Sequence, residues 1–302
     1  MKKKLLILGG GFSREREISL KTAKAVFNEI KNIYTTKISE PDGNLVATLR
    51  KFKPDFVFNA LHGRYGEDGY IQSILESEKI KYTHSGVLAS SIAIDKEISK
   101  KIFIKNNILT PKFKKFIFNK DKINKKYISR LKSSIGFPLV IKPFNEGSSV
   151  EVYICGEKDF FKNLKKLLPY KEIMIEKYIP GREIQVAVMG YKALGAIELV
   201  PKREFYDYTA KYSNKAKTKH IMPAPLSKKK YNEVLAIAKK AHNSLGCKGI
   251  TRSDFKFFKN KFYLLETNTQ PGMTKLSLVP EIAKYCNINF EELVLKICKD
   301  AS

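Results

Sequence analysis

The first third of the chain switches repeatedly between two kinds of segment. "KLLIL", "DFVFNA" and "KIKYT" are short and apolar, while "ISLKTAKAVFNEIK" and "DGYIQSILESE" carry apolar residues at helical spacing. Short buried strands alternating with amphipathic helices predict a parallel sheet covered by helices. In open sheets of this kind ligands collect at the carboxyl ends of the strands. "GGGFSRERE" and "LHGRYGEDG" both follow strands, so they are expected side by side at that edge.

The glycine run invites a phosphate-loop reading, which its spacing rejects. No Gly-Lys-Ser/Thr follows, and Arg14 stands where a dinucleotide fingerprint needs its third glycine. The plainest alternative makes Ser13 an N-cap, with Glu15 and Glu17 in the first turn of a helix. That leaves open why three glycines precede it.

From Asp95 the texture changes. "DKEISKKIFIKNN" and "KINKKYISRLKSSIG" read as helices and "TPKFKKFIF" as a strand. "FPLVIKPFNEGSSVEVYI" reads as two strands around a Gly-Ser turn. Long strands follow in "REIQVAVMG" and "KALGAIELV". After the polar stretch "FYDYTAKYSNKAKTKH" come a helix in "KKKYNEVLAIAKKAHNSLG", strands in "GITRSDFKFF" and "KFYLLETNT", and terminal helices. There is no internal repeat. A chain of 302 residues can bury a large core and is expected to divide into two or three domains.

Charge narrows the partners. Lys and Arg number 57 against 30 Asp and Glu, a net +27. The lysines are spread along the chain without a basic arm, zinc-finger spacing or aromatic RNA-binding signature. A compositional bias accounts for them better than a specific nucleic-acid site. Cys155, Cys247, Cys286 and Cys298 form no C-x-x-C pair, which fits a reducing compartment. The apolar run after "MKKK" is too short for a signal peptide, and no run approaches a membrane span. A cytoplasmic protein with no membrane partner is expected.

Several stretches carry chemistry. Residues two apart on a strand share a face, so Arg252 lies with Asp254 and Glu266 with Asn268. If the two strands pair, Asp254, Glu266 and Asn268 gather hard oxygen donors of the kind Mg²⁺ takes alongside phosphate. Lys142 ends an apolar strand beside Gly147, Ser148 and Ser149, whose amides could surround phosphate oxygens; a plain hairpin explains the same pattern. Lys96, at a helix start, reads as solvated. "EKYIPGRE" places Glu176 and Glu183 about a Pro-Gly turn. The extended Glu176–Ile179 backbone could read an adenine edge and an acid after the turn could hold ribose hydroxyls, or both acids are simply solvated. "FYDYTAKY" is too aromatic for a permanently exposed loop and reads as a lid.

Together "GGGFSREREISL", "NALHGRYGEDGYIQ", "YTHSGVLASSIAIDK", "VIKPFNEGSSV", "EKYIPGRE", "FYDYTAKY" and "ETNTQPGMTKLSLVP" resemble the D-alanine–D-alanine ligases of the ATP-grasp superfamily, in the family's order and over essentially the whole chain. The resemblance implies an α/β, three-domain ATP-grasp architecture: an N-terminal parallel α/β sheet domain plus two α+β domains sandwiching ATP. The expected boundaries are 1–94, 95–178 and 179–302, with the lid near 203–222. It implies ligation of two D-alanines through an acyl phosphate, for peptidoglycan precursors, with ATP as substrate and Mg²⁺ (or Mn²⁺) as metal, in a homodimer.

Site residues follow from the same resemblance. Glu15 would bind the ammonium of the first D-alanine, with His62 close by and Ser148 and Tyr212 latching Glu15 to the lid. Lys96, Lys142 and Lys211 would contact ATP phosphates, and Glu176, Lys177, Ile179 and Glu183 the nucleoside. Asp254, Glu266 and Asn268 would hold the metal. Arg252 and the Gly272 amide would stabilise an oxyanion, and Ser277 and the Leu278 amide would hold the second carboxylate. His84 and Glu151 depart from the pattern, standing where the family usually has glycine. A relative with another second substrate, such as D-serine, stays open, as does a nucleic-acid binder driven by charge.

Overall fold

The computed structural model describes residues 2–118, 124–144, 151–201, 218–274 and 277–301. The expectations for Gly147, Ser148, Ser149, Lys211 and Tyr212, and for most of the lid, lie outside the described residues.

The chain begins with β1 (Lys4–Leu8), α1 (Arg16–Ile30), β2 (Thr35–Ser39), α2 (Leu45–Phe52), β3 (Phe56–Asn59), α3 (Tyr70–Ser77) and β4 (Lys81–Tyr82). Its four strands form a parallel sheet in the order β2-β1-β3-β4. The alternation therefore folds as its periodicity requires. The sequence reading had assigned nothing to β2 and α2. β2 is an edge strand, "TTKIS", too polar and too exposed to show a core pattern.

Two helices, α4 (Val87–Ile94) and α5 (Lys96–Lys105), lead to the second sheet. It comprises β5 (Phe113–Ile117), β6 (Leu139–Pro143), β7 (Tyr153–Cys155) and β8 (Glu172–Lys177), with α6 (Lys125–Ser134) and α7 (Phe160–Lys166). The order is β5-β8-β6-β7 and every pairing is antiparallel. The two strands expected about the Gly-Ser turn are β6 and β7, paired to each other.

The third sheet holds β9 (Arg182–Met189), β10 (Lys192–Val200), β11 (Lys219–Ile221), β12 (Ile250–Phe258) and β13 (Lys261–Asn268) in the antiparallel order β11-β10-β9-β12-β13. The far end of the expected lid is thus strand β11. Helix α8 (Lys228–Ser244) precedes β12, and α9 (Leu278–Tyr285) and α10 (Phe290–Lys299) close the chain.

Burial explains how the sheets come together. Leu5, Ile7, Phe56 and Phe58 of the first sheet share a core with Ala187 and Ile197 of the third and with α9 and α10. The other face of the third sheet, with Val186 and Phe255, packs on α8 and on Ala89, Ala93 and Phe103 of α4 and α5. The second sheet has its own core around Ile141, Ile175 and Phe160. Helix α5 is therefore anchored in the third sheet's core while its other residues reach the second sheet.

Candidate active site

At the carboxyl edge of the first sheet the glycine loop presses against α1. A Cβ at Gly9 would lie 2.5 Å from the Ala23 side chain, so only glycine lets the loop run there. The helix starts at Arg16 with Glu15 in the N-cap position and no side-chain cap. This corrects the N-cap reading of Ser13: its hydroxyl instead donates to the His62 carbonyl (2.6 Å) and accepts from the Glu15 amide (3.1 Å). The two loops are thereby tied together. The Glu15 carboxylate lies against Gly63, where a Cβ would come within 3.0 Å of its Oε2.

His62 is buried; its Nε2 pairs with Thr22 Oγ1 at 2.9 Å and its Nδ1 sits 3.6 Å from Glu67 Oε1. Burial pushes the Glu67 carboxyl above its ordinary value, the His62 bond pulls it down, and the charge of Glu15 raises it again. Glu67 had no role in the sequence reading, although it lies within "LHGRYGEDG", five residues past His62. The pocket thus holds two acids near one histidine.

Across the molecule a second constellation forms where α5 meets the second sheet. Lys96, expected to be solvated, is buried; its Nζ donates to the Phe144 carbonyl at 3.4 Å and lies 4.0 Å from Glu266 Oε2. Glu176, on β8, is only 3% exposed, not a solvated turn acid. Its Oε1 accepts from Lys142 Nζ at 2.5 Å, and its Oε2 lies 3.1 Å from Lys100 Nζ. Burial alone would raise the Glu176 carboxyl, but Lys100 and Lys142 outweigh it and bring it down to about 2. Lys100 went unnoticed in the sequence because it is one lysine among many.

The turn after β8 crosses from the second sheet to the third. Gly181 has φ +124°, and a Cβ there would meet the Phe257 carbonyl at 2.4 Å, so the crossing needs glycine. The amides of Lys177 and Tyr178 donate to the Lys112 and Pro138 carbonyls, which directs an adenine-edge reading towards Ile179. The Lys177 ammonium binds the carbonyls of Gly136 (3.1 Å) and Phe137 (2.8 Å), away from Glu176. Glu183, the second residue of β9, pairs with Lys256 at 2.9 Å, a partner its local sequence does not announce.

The acid row sits beside this crossing. The register pairs Asp254 with Glu266 and Arg252 with Asn268, and places Gln185 of β9 opposite Asp254. A bulge makes the row possible. Phe262 and Leu264 face the core, and strict alternation would send Glu266 and Asn268 after them. The register shift between Asp254 and Phe255 leaves Leu265 as the extra residue, so Thr267 turns inward and both polar neighbours turn out. On the inward side Ser253 bonds Thr267 (3.0 Å) and Thr251 bonds His242 (2.9 Å), which gives the two residues flanking Arg252 their structural task.

Asp254 is held by Arg252 in a fork, Nε to Oδ1 at 2.7 Å and Nη2 to Oδ2 at 3.0 Å. Asn268 Oδ1 accepts from the Gln270 amide at 2.6 Å. The buried Gln185 Oε1 has no hydrogen-bond partner among the described residues. Two carboxylates and two amide oxygens, one of them the unsatisfied Gln185 Oε1, fit a hard divalent cation, provided that Asp254 shares its oxygens with Arg252.

The last part of the site joins the two halves. Past β13 the Gln270 side chain donates to the Asn59 carbonyl at the end of β3. A Cβ at Gly272 would lie 2.9 Å from Ser277 Oγ, so the chain folds tightly onto that serine. Ser277 Oγ accepts from the Thr274 amide at 3.0 Å, and Leu278 begins α9 directly after it. Glu15 and His62 therefore lie on one side of this joint, Arg252 and the acid row on the other.

Comparison with known proteins decides the family. A profile described as D-ala D-ala ligase C-terminus matches residues 102–299. The D-alanine–D-alanine ligase of Pelagibacter ubique is 63% identical over 100% of this chain and 99% of its own. This chain belongs to the D-alanine–D-alanine ligase family. The ligase of Wolbachia pipientis wMel is 46% identical, covering 98% of this chain and 94% of its own. The crystal structure of the Bacillus anthracis ligase superposes with a TM-score of 0.87 at 32% identity, over 99% of this chain and 97% of that one. The same ligase complexed with ATP gives 0.85 at 29%, with the same coverage. The three-sheet α/β architecture is that of the ATP-grasp ligases.

Within the ligase family the two departures have a common geometry. His84 has φ +73° and Glu151 φ +54°, so both adopt the left-handed backbone that glycine takes most easily. His84 is 3% exposed, packs edge-on against Phe58 at 5.5 Å and leaves Nδ1 without a hydrogen-bond partner among the described residues. Glu151 accepts from the Tyr153 hydroxyl at 3.2 Å.

Proposed function

We propose that this chain joins two D-alanines, coupled to ATP cleavage, into D-alanyl-D-alanine with release of ADP and phosphate, supplying peptidoglycan precursors. The observation that carries the reading is the contact between the two nucleotide-facing elements. Lys96, beside the lysine cluster of the second sheet, reaches within 4.0 Å of Glu266 in the acid row of the third. Cations and acids facing one cleft suit a metal-bound nucleotide triphosphate.

The chemistry assigns each group a task. A carboxylate oxygen of the first D-alanine attacks the γ-phosphorus and ADP leaves, giving an acyl phosphate. The amine of the second attacks the acyl carbon, and phosphate leaves from the tetrahedral species. Glu15 holds the first ammonium while His62, braced by Thr22 and Glu67, closes the same wall. Lys96, Lys142 and Lys211 neutralise phosphate oxygens, Ile179 and its neighbours Glu176 and Lys177 face the adenine edge, and Glu183 receives ribose hydroxyls. Arg252, oriented by its fork to Asp254, and the Gly272 amide stabilise the oxyanion. Ser277 and the Leu278 amide at the start of α9 hold the second carboxylate. Ser148 and Tyr212 orient Glu15 when the site closes and water is excluded. Mg²⁺ or Mn²⁺, held by Asp254, Glu266 and Asn268, would supply charge neutralisation at the phosphates.

The expected assembly is a homodimer and the expected compartment the cytoplasm; among the described residues no helix is long and apolar enough to cross a membrane. The test is phosphate release and product analysis with ATP and D-alanine, D-serine or D-lactate. D-alanyl-D-alanine formed from D-alanine alone is expected. A product containing D-serine in preference, or no ligation at all, would overturn the reading.

A further inference from the structure

Lys100 is a fully buried charge that no proposed catalytic step uses. It is 0% exposed, its Nζ donates to Thr110 Oγ1 at 2.7 Å, and it lies 3.1 Å from Glu176 Oε2. It follows Lys96 by one helical turn, so α5 points both lysines from one face. Lys96 reaches the cleft, at Glu266; Lys100 stays behind it. On the far side of Glu176, Lys142 takes the other carboxylate oxygen at 2.5 Å. One buried carboxylate is thus gripped by two ammonium groups from different elements.

That arrangement poses a physical problem for a phosphate-binding Lys142. To meet a phosphate, Lys142 must loosen its bond to Glu176. A buried carboxylate stripped of its cation is strongly unfavourable. A second cation already in place removes the difficulty. We propose that Lys100 is a positioning residue of the nucleotide site: it holds Glu176 from behind, so that Lys142 can leave that carboxylate for an ATP phosphate. Lys100 does not touch the ligand; it is fully enclosed and fixed by Thr110, with the Phe113 ring 5.7 Å away. The local balance of charge agrees. Lys96, Lys100 and Lys142 face Glu176 and Glu266, an excess of one positive charge awaiting an anion. The Glu176 carboxyl stays ionised although burial opposes it, with Lys100 first among the charges that hold it so.

The proposal rests on the nucleotide reading above, and ATP binding without D-alanine tests it separately from ligation. Calorimetric titration of ATP with Mg²⁺ would compare the wild type with Lys100→Met, Lys100→Arg, Glu176→Gln and the double variant Lys100→Met/Glu176→Gln. Exposed Lys101→Met serves as control. Lys100→Met should weaken ATP about tenfold or more and leave the KM for D-alanine within about twofold, because Lys142 then stays locked on Glu176. Lys100→Arg should restore most of the affinity. Glu176→Gln alone is the reference for the double variant: with no carboxylate left to strand, adding Lys100→Met should change ATP affinity by less than about threefold. A lower melting temperature with unchanged ATP affinity in Lys100→Met would overturn the proposal and reduce Lys100 to a structural cation. Should Lys100→Met fail to fold, the Glu176→Gln background decides: a further loss of about tenfold or more on adding Lys100→Met there also overturns it. A wild type that binds no ATP would sink the nucleotide reading itself, whereas normal wild-type binding and ligation with indifferent Lys100 variants sinks only this proposal.

Discussion

The proposed amino-acid pocket and the proposed nucleotide cleft are built by opposite means. The pocket, at the edge of the parallel sheet, is made largely of backbone: close-packed glycines, a serine bonded to a carbonyl, and Glu15 lying against Gly63. The cleft, between two antiparallel sheets, is made of ion pairs already formed: Glu176 with Lys100 and Lys142, Glu183 with Lys256, Asp254 with Arg252. A ligand adds to the pocket but must exchange partners in the cleft. A substitution in the pocket should therefore remove one contact, and a substitution in the cleft should also unbalance its neighbours.

The largest effect should come from the acid row. Asp254→Asn removes charge from the metal site and also frees Arg252 from its fork. We expect a loss of more than about a hundredfold in kcat, with a melting curve close to wild type. Glu266→Gln should behave similarly and weaken the reach of Lys96. Near-normal turnover in both would show that the row is structural, and the contrast between the two regions would collapse.

Glu15→Gln is the matching change in the pocket. It keeps size and helix propensity but removes the charge. The charge-assisted bond is worth roughly 1.5–3 kcal/mol, so the KM for the first D-alanine should rise several-fold to about a hundredfold. ATP affinity should barely move, since Glu15 stands at the edge of the parallel sheet and the nucleotide is expected between the other two sheets. Equal losses for D-alanine and ATP would break the comparison. If instead only the melting point shifted, Glu15 would be returned to the helix terminus it occupies.

What could be read from the sequence follows the same divide. The parallel sheet was legible because strand and helix periods alternate cleanly. The pocket was legible because glycines need a reason. The acid row was legible through strand spacing, although the bulge at Leu265 that turns Glu266 and Asn268 outward was not, since no local residue type announces it. The ion pairs of the cleft were least legible. Lys96 and Glu176 read as solvated groups, and Lys100 and Lys256 read as nothing at all. A lysine's burial depends on which distant element covers it, and among so many lysines composition gives no contrast. Glu67 was missed for a related reason: its perturbation comes first from burial, and then from His62 and Glu15 through space.

The smallest expected effect lies at the joint between the two regions, at His84. Its ring hydrogen-bonds the Ile250 backbone and packs on Phe58, while a Cβ at Gly249 would lie 3.1 Å from its Cα. Burial, helped by the neighbouring His62, pushes the imidazole down to about 3. The unfolded chain, with the ordinary value near 6.5, therefore takes up more protons than the folded one between about pH 3 and 6.5. The stability this group permits is complete above that window and declines as pH falls through it. His84→Gly removes the ring but also relieves left-handed strain of about 1–2 kcal/mol. At pH 7 the lost packing should win, leaving the variant less stable by about 1–3 kcal/mol. Towards pH 4 the gap should narrow, because the variant no longer has this ring to protonate. His242, likewise buried and pushed down to about 4, should leave a residual acid limb in both proteins. Urea midpoints between pH 4 and 8 measure the gap directly. A gap that stays constant with pH would mean that the buried neutral ring does not set the acid stability of the joint.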